Sequence, residues 1–148
     1  MKLTNRYSLA TLLVVLVLPI IATGCILVVE EDDGYDRHRH LHGTHWTLEI
    51  VFYRTQTIQV MDRSVDLRFD EGGAFSGSAS CGDLSGSFEV DDNGNLSISK
   101  VSFAENCQGE SLTELFTDGM RAARTYEADE NALRIATNEN GYLTFSSK

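Results

Sequence analysis

The first 25 residues contain the feature that most constrains this chain. Lys2 and Arg6 form a short positive start, and the stretch 9–21 is apolar and carries no charge. Small residues then precede Cys25. A positive start, an apolar stretch and a small-residue exit are typical of an export signal. We therefore predict a signal peptide over residues 1–24 and an exported chain after it.

The end of this segment, Ala22-Thr23-Gly24-Cys25, resembles the lipobox of bacterial lipoproteins. In that class the cysteine sulfur receives a diacylglyceryl group, the chain is cut before the cysteine, and the new amine is usually acylated, for example with palmitate. The resemblance makes Cys25 the predicted lipid-attachment site. Ile26 rather than Asp follows it, which in that class implies sorting to the outer membrane, facing the periplasm.

A single-pass membrane anchor is the alternative, because the uncharged segment continues from Leu9 to Val29. This length is close to the roughly 20 residues that a spanning helix needs. Pro19 and Gly24 weaken such a helix without excluding it. In either arrangement the positive residues stay inside and the acidic remainder is exported.

Charge limits the partners that the exported chain can have. The chain has 22 acidic and 12 basic residues and a net charge of −10. Such a surface repels nucleic acid phosphates and anionic lipid, so we predict no nucleic-acid binding. Contact with the membrane is therefore expected to depend on the anchor. The expected partner is an unknown envelope protein or a small ligand.

The three cysteines are consistent with this location. If Cys25 carries lipid, Cys81 and Cys107 remain as a pair in an oxidising compartment, and we predict a disulfide between them. Two separate buried thiols are the alternative.

Residues 25–42 are predicted to be a lipidated, acidic and His-rich tether, because their charged composition cannot bury enough apolar surface to fold. All four histidines, His38, His40, His42 and His45, lie in or next to this tether. In an extended segment the first three would share one side, where neutral imidazoles could bind zinc or copper. A solvated linker that happens to contain histidine is the alternative, and we predict no other cofactor.

Residues 43–148 contain the strand patterns of a single domain. Trp46, Leu48, Ile50 and Phe52 alternate with other residues, which predicts a half-buried strand with these four on its core face. Alternating runs also flank Asp91–Asn95 and Asn138–Gly141, and Asn-Gly or related turns between such runs predict hairpins. A calcium loop at Glu89–Lys100 is disfavoured because Lys100 stands where the bidentate acid belongs.

One helix is predicted at about 112–124, opened by a capping box of Ser111 and Glu114. The segment 54–64 has no clear pattern and is predicted to be a loop. Short antiparallel strands with one late helix indicate a mainly β, α+β fold. We expect a small antiparallel sheet, a partly closed roll or barrel, with the helix packed on it.

The order of these elements resembles the META domain over residues 43–148, a family that includes lipoproteins similar to a heat-shock protein linked to novobiocin resistance. The resemblance implies a role in envelope integrity or stress tolerance and supplies no catalytic residue. The Asn that often follows the first cysteine is absent here. The residues that carry the resemblance are Trp46-x-Leu48, Leu67-x-Phe69, Gly73-x-Phe75-Ser76-Gly77, Cys81, Gly86-x-Phe88, Leu96-x-Ile98, Cys107, Glu114, Phe116, Tyr126, Leu133-x-Ile135 and Leu143-x-Phe145.

The chain offers no set of catalytic residues from which to predict an enzyme. Every histidine lies at or before His45, and no Gly-x-Ser-x-Gly, P-loop or dinucleotide-binding motif is present. A carboxylate-based hydrolase is the remaining catalytic alternative. We therefore predict a non-catalytic, lipid-anchored envelope protein that binds another envelope component. The other two hypotheses are a metal-capturing module, and an inhibitor or small β domain that binds a peptide or acyl chain.

Overall fold

Antiparallel strands form one sheet in the computed structural model, which describes residues 40–61, 65–104, 107 and 110–148. The described residues belong to one unit, Asp32–Lys148. Within them the sheet has 9 strands: β1 (Trp46–Tyr53), β2 (Gln56–Gln59), β3 (Val65–Phe69), β4 (Ala74–Ala79), β5 (Gly82–Val90), β6 (Leu96–Phe103), β7 (Ala123–Ala128), β8 (Ala132–Thr137) and β9 (Tyr142–Ser147).

The sheet curls into a nearly closed barrel. Its strands follow the order β6-β5-β4-β3-β1-β9-β8-β7, and β2 pairs with β1 outside this path. An isolated antiparallel bridge between Asn95 and Thr125 joins the β6 and β7 ends of the sheet. The helix α1 (Ser111–Arg121) packs against β6, β1 and β9. The mainly β fold with one helix on a partly closed sheet is confirmed.

The core face of β1 differs from the prediction at its C-terminal half. Trp46 and Leu48 are buried as expected, but Val51 and Tyr53 are buried in place of Ile50 and Phe52. The cause is a register shift between Leu48 and Ile50 in the pairing with β9. Because side chains alternate with a period of two, one irregular residue moves every later side chain to the opposite face.

The helix also differs from the prediction at both ends. The residue that caps its start is Glu110, no side-chain hydrogen bond caps it, and Ser111 is already helical. The predicted capping box of Ser111 and Glu114 is therefore wrong. The helix ends at Arg121, because the chain enters β7 at Ala123 and pairs with β8 there.

Large apolar side chains fill the space between the sheet and the helix. On α1 the buried residues are Leu115, Phe116, Gly119 and Met120, which recur at helical spacing. A methyl group at Gly119 would lie 3.2 Å from the side chain of Leu143, so this small residue allows the helix to lie close to the sheet. The largest fully buried side chains include Trp46, Phe69, Phe75, Phe116, Phe145, Leu41, Leu48, Leu67, Leu84, Leu96, Met120 and Leu133.

Both predicted hairpins are present, and their turns use the expected residues. In the β5–β6 turn the Asp91 carboxylate accepts backbone N–H groups from Asn93 and Asn95, each at 2.9 Å, and Gly94 has a φ of 78°. Between β8 and β9 the chain turns at Glu139 and Asn140, which have φ values of 62° and 59°. The predicted loop 54–64 is wrong in part, because it contains β2, which pairs with β1 across a tight turn at Arg54 and Thr55.

The residues just before β1 belong to the packed domain. Leu41 is fully buried, and its carbonyl accepts the indole N–H of Trp46 at 3.2 Å. His42 forms a parallel bridge with Phe69. Leu41 and His42, which the sequence placed at the end of the tether, therefore pack with the sheet.

Candidate functional site

The predicted pair of cysteines forms a disulfide. Cys81, in the turn between β4 and β5, is bonded to Cys107 with a Cα–Cα distance of 5.2 Å. Cys107 is fully buried, while Cys81 is half-buried. The bond ties the β4–β5 turn to the segment that leads into α1. It is a structural crosslink, and the alternative of two separate thiols is wrong.

The described histidines lie against different parts of the sheet. His42 Nδ1 is 2.9 Å from the carbonyl oxygen of Asp70, and its ring lies 5.7 Å from that of Phe88. His40 is close enough to Asp129 to contribute to the lowering of the pKa of that carboxyl group. His45 likewise contributes to the lowering of the pKa of the Asp66 carboxyl group in β3.

These positions leave the predicted metal site untested. His40 and Leu41 are helical, so the extended segment that would align alternate histidines is not present there. In the described part of the chain, no three His, Cys, Asp or Glu side chains come together as metal ligands would. His38 lies outside the described residues, so a site that includes it stays a prediction.

Among the described residues, three carboxyl groups have clearly shifted pKa values, and all three shifts are downward. Burial by itself raises the pKa of Asp66, but hydrogen bonds from Lys148 and Thr47, both at 2.7 Å, outweigh it and the pKa is lowered. Side-chain and backbone hydrogen bonds from Asn95 lower the pKa of Asp91, and backbone N–H groups lower that of Asp129. A catalytic general acid needs a raised pKa. The lowered pKa values do not fit that role, and each of these carboxylates accepts hydrogen bonds from neighbouring residues.

A polar groove lies between the β1–β2 turn and α1. Its volume is about 350 Å³, and Arg54 lies at its edge with a φ of 56°. The guanidinium of Arg54 approaches Asp118 at 3.9 Å and Glu139 at 3.7 Å, and it lies 5.1 Å from the centre of the Tyr53 ring. These contacts join the turn to the helix. Because both acids are exposed, solvent screens these ion pairs, and they neutralise the charge of Arg54 only in part.

A second feature, which the sequence analysis missed, lies on the outer face of the sheet. Because of the irregularity in β1, Ile50 and Phe52 point away from the core and are half-buried. The ring of Phe52 lies 5.4 Å from that of Tyr142, and the Arg134 guanidinium lies 4.9 Å from the centre of the Tyr142 ring. We call Ile50, Phe52, Arg134 and Tyr142 the outer cluster. Aromatic and arginine side chains are enriched at the residues that dominate binding at protein interfaces.

The predicted anchor lies outside the described residues, and so does Cys25. No helix in the described part combines the length and apolar character needed to cross a membrane. Inside the barrel, the large buried side chains occupy the space that an acyl chain would need. They therefore disfavour the hypothesis of an acyl-chain pocket in the described core.

Comparison with known proteins agrees with the fold. The chain is similar in structure to a DUF4847 family protein from Bacteroides vulgatus, with 16% identity and a TM-score of 0.57, covering 74% of this chain and 95% of that one. A protein from Burkholderia xenovorans gives 15% identity and a TM-score of 0.60, covering 76% and 87%. No match was found among curated protein sequences. The family model described as the META domain matches residues 39–148. The chain therefore belongs to the META domain family.

Proposed function

We propose that this protein is a non-catalytic, lipid-anchored component of the cell envelope that binds another envelope protein and supports envelope integrity or stress tolerance. Membership of the META domain family supports the envelope-associated, non-catalytic part. The observation that carries the anchor is the sequence Ala22-Thr23-Gly24-Cys25 directly after the apolar run. Two or three acyl chains at Cys25 would hold the acidic domain firmly at a membrane surface.

The outer cluster supports a protein partner. Ile50, Phe52 and Tyr142 are large side chains on a sheet face that the core does not cover, and Arg134 lies over one of the rings. In a chain with a net charge of −10, this face provides apolar area and a cation rather than more carboxylates. Such a composition favours contact with a protein surface over contact with an anionic polymer.

The anchor is tested by labelling cells with an alkyne analogue of palmitate. We expect the wild-type chain and an Ile26→Leu control to incorporate the label, lose residues 1–24 and fractionate with the outer membrane. A Cys25→Ser variant should incorporate none and keep its full length, because the acceptor sulfur is absent. Labelling of Cys25→Ser at the wild-type level would contradict attachment at this residue.

The partner is tested by photo-crosslinking in intact cells. A crosslinking amino acid placed at Ala132, an exposed residue on the same face of β8 as Arg134, should capture a different protein, identified by peptide mass spectrometry. The same group placed at Ser97, an exposed position on β6, serves as the control. Absence of a product from Ala132, or equal capture of the same protein from Ser97, would contradict binding through the outer cluster.

A further inference from the structure

The outer edge of β2 has no partner strand among the described residues. β2 pairs with β1 on one side, and no described strand pairs with it on the other. The N–H of Val60 donates to the carbonyl of Glu49 at 2.7 Å. The backbone N–H and C=O groups of the even-numbered residues in this segment therefore point toward β1. Because these directions alternate along a strand, the N–H and C=O groups of Thr57 and Gln59 point to the open edge.

Apart from its length of only 4 residues, this edge lacks the usual protection against pairing with another chain. Exposed edge strands commonly carry Lys or Pro, or are interrupted by a bulge. The segment 55–61 contains no charged residue and no proline, and β2 keeps a regular register over its four pairs with β1. Met61, at the end of the segment, has 84% of its surface exposed. An uncharged edge in an otherwise acidic chain is suited to pairing with a further strand.

We propose that the open edge of β2 is the interface of a homodimer. Two copies pair β2 with β2 in antiparallel fashion around a two-fold axis at Ile58. In this register Ile58 lies opposite Ile58 of the second copy, and Thr57 lies opposite Gln59 of the second copy. The outward-pointing N–H and C=O groups of Thr57 then bond to those of Gln59 of the second copy, and the same pair recurs on the other side of the axis. This gives about four backbone hydrogen bonds in total. Two sheets are joined into one.

The charge distribution favours a second copy as the occupant. In a two-fold symmetric interface only the residue on the axis meets its own copy, and here that residue is the uncharged Ile58, while the opposed off-axis residues Thr57 and Gln59 are also uncharged. β2 is free of charge in a chain whose net charge is −10, so two copies can approach here without direct repulsion between opposed side chains. Ile58 already packs partly against the core, and its remaining surface would be covered by the same residue of the second copy.

The register is tested by disulfide crosslinking of the full chain in detergent solution. Opposed residues in this type of antiparallel pair lie about 4.5 Å apart, within reach of a disulfide. We therefore expect an Ile58→Cys variant to form a covalent dimer rapidly under mild oxidation. Thr57→Cys is the matched control, because position 57 lies diagonal to itself and beyond disulfide reach. Both variants keep the native cysteines and hence the same background.

The interface is tested independently by charge substitution at exposed residues. The double variant Thr57→Glu with Gln59→Glu places like charges opposite each other, and we expect the dimer dissociation constant to rise about tenfold or more. The variant Thr57→Lys with Gln59→Glu places opposite charges together and should restore dimerisation to within about threefold of wild type. Sedimentation at matched detergent density measures both, and circular dichroism checks the fold.

Three results would overturn the proposal. One is a wild-type chain that stays monomeric throughout the micromolar range. Another is a dimer whose dissociation constant is unchanged in the variant Thr57→Glu with Gln59→Glu. The last is a Thr57→Cys variant that crosslinks as fast as Ile58→Cys.

Discussion

Replacing Cys81 and Cys107 with alanine removes the bond between the β4–β5 turn and the segment that leads into α1. The two cysteines are 26 residues apart, and the bond mainly restricts the unfolded chain. In the chain-entropy relation a loop of this length corresponds to a loss of about 3.5 kcal/mol in the free energy of unfolding at 25 °C. Alanine is chosen because Cys107 is fully buried and a serine hydroxyl there would need a new hydrogen-bond partner.

The assay is urea unfolding of the full chain, followed by the fluorescence of Trp46, with and without a thiol reductant. We expect the double alanine variant to unfold at a lower urea concentration. Reductant should move wild type to nearly the same midpoint and leave the variant unchanged. Wild type that unfolds identically with and without reductant, under conditions in which thiol counting shows the bond to be reduced, would refute the assigned stabilisation.

Further substitutions test the packing and the charge network. The buried Thr144 hydroxyl has no hydrogen-bond partner among the described residues. Thr144→Val should therefore raise the free energy of unfolding, measured by urea titration, by about 1 kcal/mol. Thr144→Ser keeps the hydroxyl and should give no such increase. Gly86→Ala should destabilise by about 1–3 kcal/mol in the same assay, because the added methyl overlaps the ring of Phe75. The pKa of Asp66 is lowered in the folded state, so its contribution is present above the unfolded pKa near 3.8 and is lost as pH falls through the folded value. Acid titration of Asp66→Asn or Lys148→Met should therefore show a weaker loss of stability below about pH 4 than wild type.

Regular alternation and turn residues made much of the sheet predictable. Trp46 and Leu48 are buried on β1 as their spacing predicts, and the hairpin at Asp91–Asn95 has the expected turn. These features are local, because each depends on a few neighbouring residues. The disulfide could be predicted for a different reason. With Cys25 assigned to lipid and an oxidising compartment expected, Cys81 and Cys107 were the one pair left to form a bond.

The features that the sequence did not predict depend on contacts with distant segments. The irregularity after Leu48 is visible only in the pairing with β9, yet it determines that Phe52 faces outward. β2 has no regular apolar alternation and exists because β1 lies beside it. The outer cluster follows from the irregularity in β1, since Phe52 meets Tyr142 only after that change of face. Arg54 contacts Asp118 and Glu139 from two other elements, and no local pattern indicates this.

The central claim is that a META domain is held at the envelope by lipid on Cys25, and the most direct measurement is mass spectrometry of the N-terminal peptide from the protein isolated from its native membranes. We expect a mature chain that begins at Cys25 and carries the mass of a diacylglyceryl group with an additional acyl chain. A chain that retains residues 1–24 with an unmodified Cys25 would contradict it.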